Sequence, residues 1–170
     1  SLAGCAASNP RARSVFLYGP HHSFFVDLPR DWDPVPQQNT TYNLLLRYRH
    51  EDFKRNPSIY VRVFTRQLTD ISQFIDNERA GFLEQCPDGR VQSLYPIDTQ
   101  DQHRCTVFEY ICTSTFAQRD MVAYLLDSAT IVLFALSVAD QEILPGEKSA
   151  FTQIVRSYAL SRLTVIDATR

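Results

Sequence analysis

The fold of this chain is decided by an uncharged run of branched and aromatic residues, Ile131-Val132-Leu133-Phe134-Ala135-Leu136-Ser137-Val138. A run so short and so apolar predicts a strand that is buried on both faces. A helical pattern follows it, since apolar residues recur at i, i+3, i+4 and i+7 in Phe151, Ile154, Val155 and Tyr158. A strand with two buried faces needs cover on both, and we expect this helix to supply one of the two layers.

Six more segments are predicted to be strands, namely residues 15–18, 22–28, 42–50, 59–64, 105–114 and 121–126. Shorter strands are expected near 91–95 and 163–166. A first helix is predicted from an N-cap at Thr69 to a breaker at Cys86-Pro87, with Ile71, Phe74, Ile75, Glu78 and Phe82 at helical spacing. Hairpin connections indicate antiparallel pairing. We therefore predict an α+β fold, an antiparallel β-sheet of about six or seven strands with two long helices packed on it.

The composition bounds the domain count and the class of partner. The chain has 170 residues, of which 44% are hydrophobic and 21% charged, with a net charge of −2. These values are typical of one globular domain, which we place at residues 15–170. The small negative charge gives no electrostatic footprint for nucleic acid. No apolar run reaches the roughly 18 residues that would cross a bilayer.

The amino terminus, Leu2-Ala3-Gly4-Cys5, resembles the lipobox of bacterial lipoprotein signal peptides. In that family the cysteine thiol receives a diacylglyceryl group, so the resemblance implies lipidation of Cys5 and a lipid anchor on the periplasmic side of the cell envelope. Ala6 follows the cysteine where aspartate would be the usual signal for inner-membrane retention, which favours the outer membrane. Residues 1–14 would then be a lipobox remnant and a polar tether.

A second resemblance rests on the segment Ser23-Phe24-Phe25-Val26-Asp27-Leu28-Pro29-Arg30-Asp31-Trp32 and on the later helix Phe151–Tyr158. Together with the order of the elements, these features resemble the PsbP-like fold over residues 15–160. Bacterial members of that family include small envelope lipoproteins similar to DcrB. The resemblance implies a protein that is not an enzyme and that acts as an assembly or accessory factor. The polar stretch 88–104 is longer than the family pattern requires.

Three cysteines outside the lipobox allow a disulfide. If Cys105 and Cys112 share one extended strand, they point to opposite faces and lie too far apart to bridge, which leaves Cys86 to pair with one of them. Because Cys105 closes the polar loop that follows Cys86, we predict a Cys86–Cys105 disulfide. A Cys86–Cys112 link and three buried thiols are the alternatives.

The polar residues form no recognisable catalytic set, and we expect no catalytic residue, cofactor or metal. The candidates for a metal site are His21-His22 and His50-Glu51-Asp52, and the candidate nucleophile pair is His103 and Cys105. Each is better explained as ordinary surface or structural residues. Arg47, Arg49 and Arg62 are expected on the outward faces of two paired strands, where they could form a docking patch for an acidic protein partner.

The predicted function is therefore that of a non-enzymatic cell-envelope lipoprotein that binds a protein partner or assists assembly. The alternative is a periplasmic binder of a small ligand or metal ion, and a hydrolase with an unrecognised site is the least favoured class. A pocket with convergent polar groups would favour the alternative, whereas a flat exposed patch would favour protein binding.

Overall fold

The computed structural model describes residues 13–36, 41–50, 54–65, 70–113, 117–127, 130–140 and 142–161. The strands are β1 (Arg13–Gly19), β2 (His22–Leu28), β3 (Trp32–Pro34), β4 (Leu44–Tyr48), β5 (Ser58–Thr65), β6 (Arg90–Ser93), β7 (Ile97–Asp98), β8 (Arg104–Cys112), β9 (Gln118–Leu126), β10 (Thr130–Val138) and β11 (Ala159–Leu160). The helices are α1 (Ile71–Gln85) and α2 (Pro145–Arg156), and neither of these described helices is long and apolar enough to cross a bilayer. The predicted lipobox with Cys5, the N-cap Thr69 and the strand 163–166 lie outside the described residues.

The strand β10 occupies the centre of the larger sheet, as the opening run of the sequence predicts. This sheet runs in the order β3-β4-β5-β10-β9-β8-β6, with β7 also paired to β8. β10 is antiparallel to β5 on one side and to β9 on the other. Every residue from Thr130 to Leu136 is at most 3% exposed. The prediction of a strand buried on both faces is confirmed.

One face of β10 is covered by α2 and by a small sheet of β1, β2 and β11. The side chains of Val132, Phe134 and Leu136 share a core cluster with Phe151, Ile154 and Val155 of α2 and with Tyr158, which follows the end of that helix, and all of them are fully buried. The small sheet adds its own apolar face to the same cluster, and the ring of Phe24 lies 4.9 Å from that of Tyr158. This is the principal core of the molecule.

The other face is covered more lightly by α1. Asp70 caps this helix by accepting a hydrogen bond of 2.9 Å from the backbone of Ser72. Within α1, only Ile75 is buried. It packs over Leu133 and Ala135 of β10, in a second cluster that is rich in tyrosine and phenylalanine.

The predicted architecture is wrong in its number of strands and in its proportion of strand to helix. Strands make up 49% and helices 20% of the described residues, in two sheets of three and eight strands, so the protein is mostly β. The short strands β3, β7 and β11, of three, two and two residues, are too short for alternation to reveal them. After β2 the chain turns through Asp31, at a φ of 65°, into β3 of the other sheet. The single predicted sheet is therefore divided in two.

The predicted Cys86–Cys105 disulfide is also wrong. Cys86 pairs with Cys112, with 6.0 Å between their Cα atoms, and Cys105 is a buried free thiol. Cys105 faces the α2 core, whereas Tyr110 and Cys112 face the opposite side of β8, against α1. Because Cys86 follows directly after α1, only Cys112 lies on its side of the sheet.

A buried ion pair fastens the start of α2 to the large sheet. Arg55, in the turn before β5, donates to Glu147 of α2 at 2.9 Å and also to Asp140. The side chains of Arg55 and Glu147 are 14% and 10% exposed. Removing either partner would leave the other charge buried and unpaired. The loss of one partner should therefore cost more stability than the intact pair contributes.

The buried face of α2 gives a direct stability test. Phe151→Ala should lower the free energy of unfolding by roughly 3–5 kcal/mol, because it opens a cavity in the main core. Lys148→Ala, on the exposed face of the same helix, should change that free energy by less than about 0.5 kcal/mol. Urea unfolding measures both, and a Phe151→Ala loss below about 1 kcal/mol would show that the helix is peripheral.

The disulfide gives a second test. The link joins residues 26 apart, which corresponds to about 3.5 kcal/mol in the chain-entropy model. Adding a reductant should therefore destabilise the wild-type protein and the Cys105→Ala variant, but not Cys86→Ser/Cys112→Ser. Non-reducing peptide mapping that recovers a Cys86–Cys105 peptide, or three free thiols, would contradict this pairing.

Candidate functional site

A cleft lies between α1 and the large sheet, and we call it the α1 cleft. It encloses about 270 Å³. Its walls combine carboxyl, amide and aromatic side chains from α1, β5, β8 and β9, among them Tyr60, Glu78, Phe82, Tyr110, Asp120 and Tyr124. Cys86 also lines it, so the disulfide fixes the carboxyl end of α1 at the cleft wall. Convergent polar groups in a partly apolar cavity are typical of a ligand site.

The first acid of the α1 cleft is Asp120. Its Oδ2 accepts a hydrogen bond of 2.8 Å from the Gln118 amide, while its buried Oδ1 has no hydrogen-bond partner among the described residues. Burial raises the pKa of Asp120, and the neighbouring Ser137 hydroxyl and Gln118 amide oppose that rise. A buried oxygen without a donor costs stability, and such a group at a cavity calls for an explanation.

Glu78 is the second acid, and it projects from the apolar side of α1. Burial raises the pKa of Glu78 too, while the nearby charge of Arg62 lowers it. No described residue forms a hydrogen bond or a close ion pair with Glu78. Two carboxyl groups with raised pKa values in one cavity mark a candidate functional site.

Three tyrosines add hydroxyl groups to the wall of the cleft. The hydroxyl oxygens of Tyr110 and Tyr124 are 2.7 Å apart, so one of them donates to the other. Burial raises the pKa of Tyr60, Tyr110 and Tyr124, which keeps all three neutral at physiological pH. The acceptor of the Tyr110–Tyr124 bond retains its own hydrogen as a donor. The cleft therefore offers both acceptors and neutral donors.

A larger cavity of about 380 Å³ lies between Trp32 and the start of α2. Its buried acid is Glu147, which is already paired with Arg55 and accepts a hydrogen bond from the backbone of Leu144. The carboxyl group of Glu147 is therefore already occupied by contacts that hold the fold together. The α1 cleft is the stronger candidate.

The predicted arginine patch is only partly available for docking. Arg49 donates two hydrogen bonds, of 2.8 and 2.9 Å, to Asp33, and with Arg13 it lowers the pKa of that carboxyl. Arg47 donates to the side chain of Asn56. Arg62 lies 4.7 Å from the ring centre of Phe64.

The arginines also differ in where they lie. Tyr60 and Phe64 pack in the α1 cluster. Arg62 lies two residues from each of them on β5, so it points to the same face, which bears the cleft. Arg47, which is paired with Ser58 of β5, lies on that same face. Arg47 and Arg62 therefore remain the best placed of the three for a partner that docks on the α1 side.

The histidines do not assemble a site in the described part of the chain. Burial raises the pKa of the Cys105 thiol to about 12, which leaves it protonated beside His103 and unsuited to nucleophilic attack. His22 packs 5.9 Å from the ring of Phe24, and His50 lies 3.9 Å from Asp31. Glu51 and Asp52 lie outside the described residues. Within those residues, no three His, Cys, Asp or Glu side chains are grouped for a metal ion.

The sequence contained a signal for the cleft that the pattern analysis did not use. Glu78 continues the apolar series of Phe74 and Phe82 on α1, so a carboxyl stands where an apolar residue is expected. Asp120 comes directly before the predicted strand 121–126, whereas β9 begins at Gln118. Extending the predicted strand by one residue puts Asp120 on the same face as Tyr124.

Asp120→Asn tests whether the fold bears a cost at this cleft. Because burial raises the pKa of Asp120 above 3.8, the native state loses relative stability as the pH rises from 3.8 through the folded pKa. We expect the variant to have a larger free energy of unfolding than the wild type at about pH 7 and an equal one at about pH 3.

Urea unfolding at both pH values checks this prediction. Asp76→Asn is the matched control, because it removes the same charge from a side chain that lies on α1 and is 72% exposed. An Asp120→Asn variant that is less stable than the wild type at neutral pH would contradict the expectation.

Comparison with known proteins identifies the fold. No protein-family model and no curated protein matches the chain. The chain is similar to the solution structure of cyanobacterial PsbP (CyanoP) from Synechocystis sp. PCC 6803, with a TM-score of 0.56 and 13% identity, over 94% of this chain and 99% of that chain. It is also similar to a crystal structure from Bacteroides thetaiotaomicron VPI-5482, with a TM-score of 0.52 and 8% identity, over 82% of this chain and 45% of that chain. These likenesses show the fold alone, and that fold is PsbP-like, as the sequence resemblance predicts.

Proposed function

We propose that this chain is a non-enzymatic binding domain that serves as an accessory or assembly factor for a protein partner. The observation that carries the proposal is the PsbP-like fold over 94% of the chain. The sequence resemblance to that family implies accessory proteins without catalysis. Since a fold by itself does not assign a function, the surface of this chain has to supply the docking site.

The docking site we propose is the α1 side of the large sheet. Arg47 and Arg62 both lie on this face, next to the α1 cleft. Exposed charge at the rim of an interface chiefly affects the association rate and the salt sensitivity of binding. An acidic partner surface would complement these two arginines.

The proposed location is the periplasmic side of the bacterial cell envelope, with the outer membrane favoured. This proposal rests on the lipobox-like sequence Leu2-Ala3-Gly4-Cys5, and it includes the acylation of Cys5 that this resemblance implies. A tether of polar residues after Cys5 would hold the domain close to membrane complexes and raise its effective concentration there.

A second candidate function is the binding of a small ligand, and the α1 cleft favours it. The side chains of Asp120 and Glu78 line one cavity together with three tyrosines. A site of this kind is compatible with protein docking on the same face.

Charge reversal tests the docking proposal. Arg47→Glu/Arg62→Glu should leave the protein folded but weaken co-purification of its partner from the membrane fraction, with the largest loss at low salt. The matched control is Arg30→Glu/Arg156→Glu, because the Arg30 side chain is 96% exposed, Arg156 is exposed on α2 at the opposite side of the sheet, and the charge change is the same. Full retention of the partner by the first variant, or equal loss in both, would rule out this face as the interface.

A further inference from the structure

We propose that the α1 cleft binds an organic cation, a primary ammonium or a guanidinium group, between Glu78 and Asp120. The inference builds on the second candidate function and assigns its ligand chemistry. The group could belong to a small free amine or to a basic side chain of a protein, and these two sources share the same recognition.

The first argument is the unsatisfied acceptor. The Gln118 amide bonds to Oδ2 of Asp120, while Oδ1 is buried without a donor among the described residues. An ammonium or guanidinium group carries several N–H donors and no acceptor, so it complements the carboxyl groups of Asp120 and Glu78, which both line the cleft. A charge-assisted bond of this kind is stronger where water is largely excluded.

The second argument is the aromatic wall. Tyr60, Phe82, Tyr110 and Tyr124 line the cleft beside the two acids. Aromatic rings attract cations through their negative faces, and they also pack against the aliphatic stem of a lysine or arginine side chain. Rings next to carboxylates therefore favour a cation over an anion.

The charge and the volume of the cleft also favour an organic cation as its ligand. Two acidic side chains, Glu78 and Asp120, line the cleft, whereas the positive charge that acts on Glu78 comes from Arg62 on β5. A volume of about 270 Å³ accommodates an amine with its alkyl stem but not a folded peptide segment. An anionic ligand would meet two acids, and a purely apolar one would leave the carboxyl of Glu78 without a donor from the ligand.

Titration of the full chain with small probes, followed by amide chemical shifts, tests this proposal. Agmatine and a blocked Gly-Lys-Gly peptide are the cationic probes, blocked Gly-Norleucine-Gly is the apolar match, and glucose is the neutral polar probe. We expect the cationic probes alone to shift the amides of β9 and of α1 around Glu78. Tighter binding of agmatine would assign the site to free amines, and tighter binding of the lysine peptide would assign it to a protein side chain.

Two variants locate the contact. Asp120→Asn and Glu78→Gln should each weaken binding of the cationic probes about tenfold or more, the loss expected for one charged hydrogen bond. Asp76→Asn, on the exposed side of α1, should leave binding unchanged. Circular dichroism and urea unfolding establish that each variant is folded.

Three results would overturn the proposal. They are the absence of binding by either cationic probe, equal binding of the norleucine peptide or glucose, and unchanged affinity in both cleft variants. Because the probes are tested without a protein partner, failure here leaves the docking proposal standing. A failed charge reversal at Arg47 and Arg62 would likewise leave the cleft untouched.

Discussion

The burial of β10 on both faces is the constraint on which the rest of the structure depends. Its backbone is paired with β5 and β9, and its side chains from Thr130 to Leu136 are at most 3% exposed. Such a strand is stable only if a layer covers each face. The molecule meets that need with α2 and the small sheet on one side and α1 on the other.

The two layers are unequal, and the difference separates stability from function. The α2 layer buries Ala150, Phe151, Ile154 and Val155 and is tied down by the Arg55–Glu147 pair. The α1 layer buries Ile75 alone, and is fixed at its end by the Cys86–Cys112 disulfide. A lightly packed helix pinned at one end leaves space beneath it, and that space is the α1 cleft. Sites for ligands are commonly drawn from the less stable parts of a fold.

The sequence predicted the features that depend on strong local patterns. The strand 131–138, the helix face of Phe151 and the hairpin of β4 and β5 are confirmed, because long apolar runs and clear periodicity leave few alternatives. The division into two sheets was missed because it depends on strands of two to four residues and on the turn at Asp31. Choosing between Cys105 and Cys112 required knowing which face of β8 lies against α1. The cleft was missed because it is made by residues from five elements, and no single segment carries its pattern.

Native-state hydrogen exchange tests the unequal packing of the two helices most directly. We expect amides of β10 and α2 to exchange only through global unfolding, with the full free energy of unfolding and its full denaturant dependence. Amides of α1 between Ser72 and Gly81 should exchange through a local opening of lower free energy, whereas those next to Cys86 should be held by the disulfide. Protection of the whole of α1 equal to that of α2 would contradict the account.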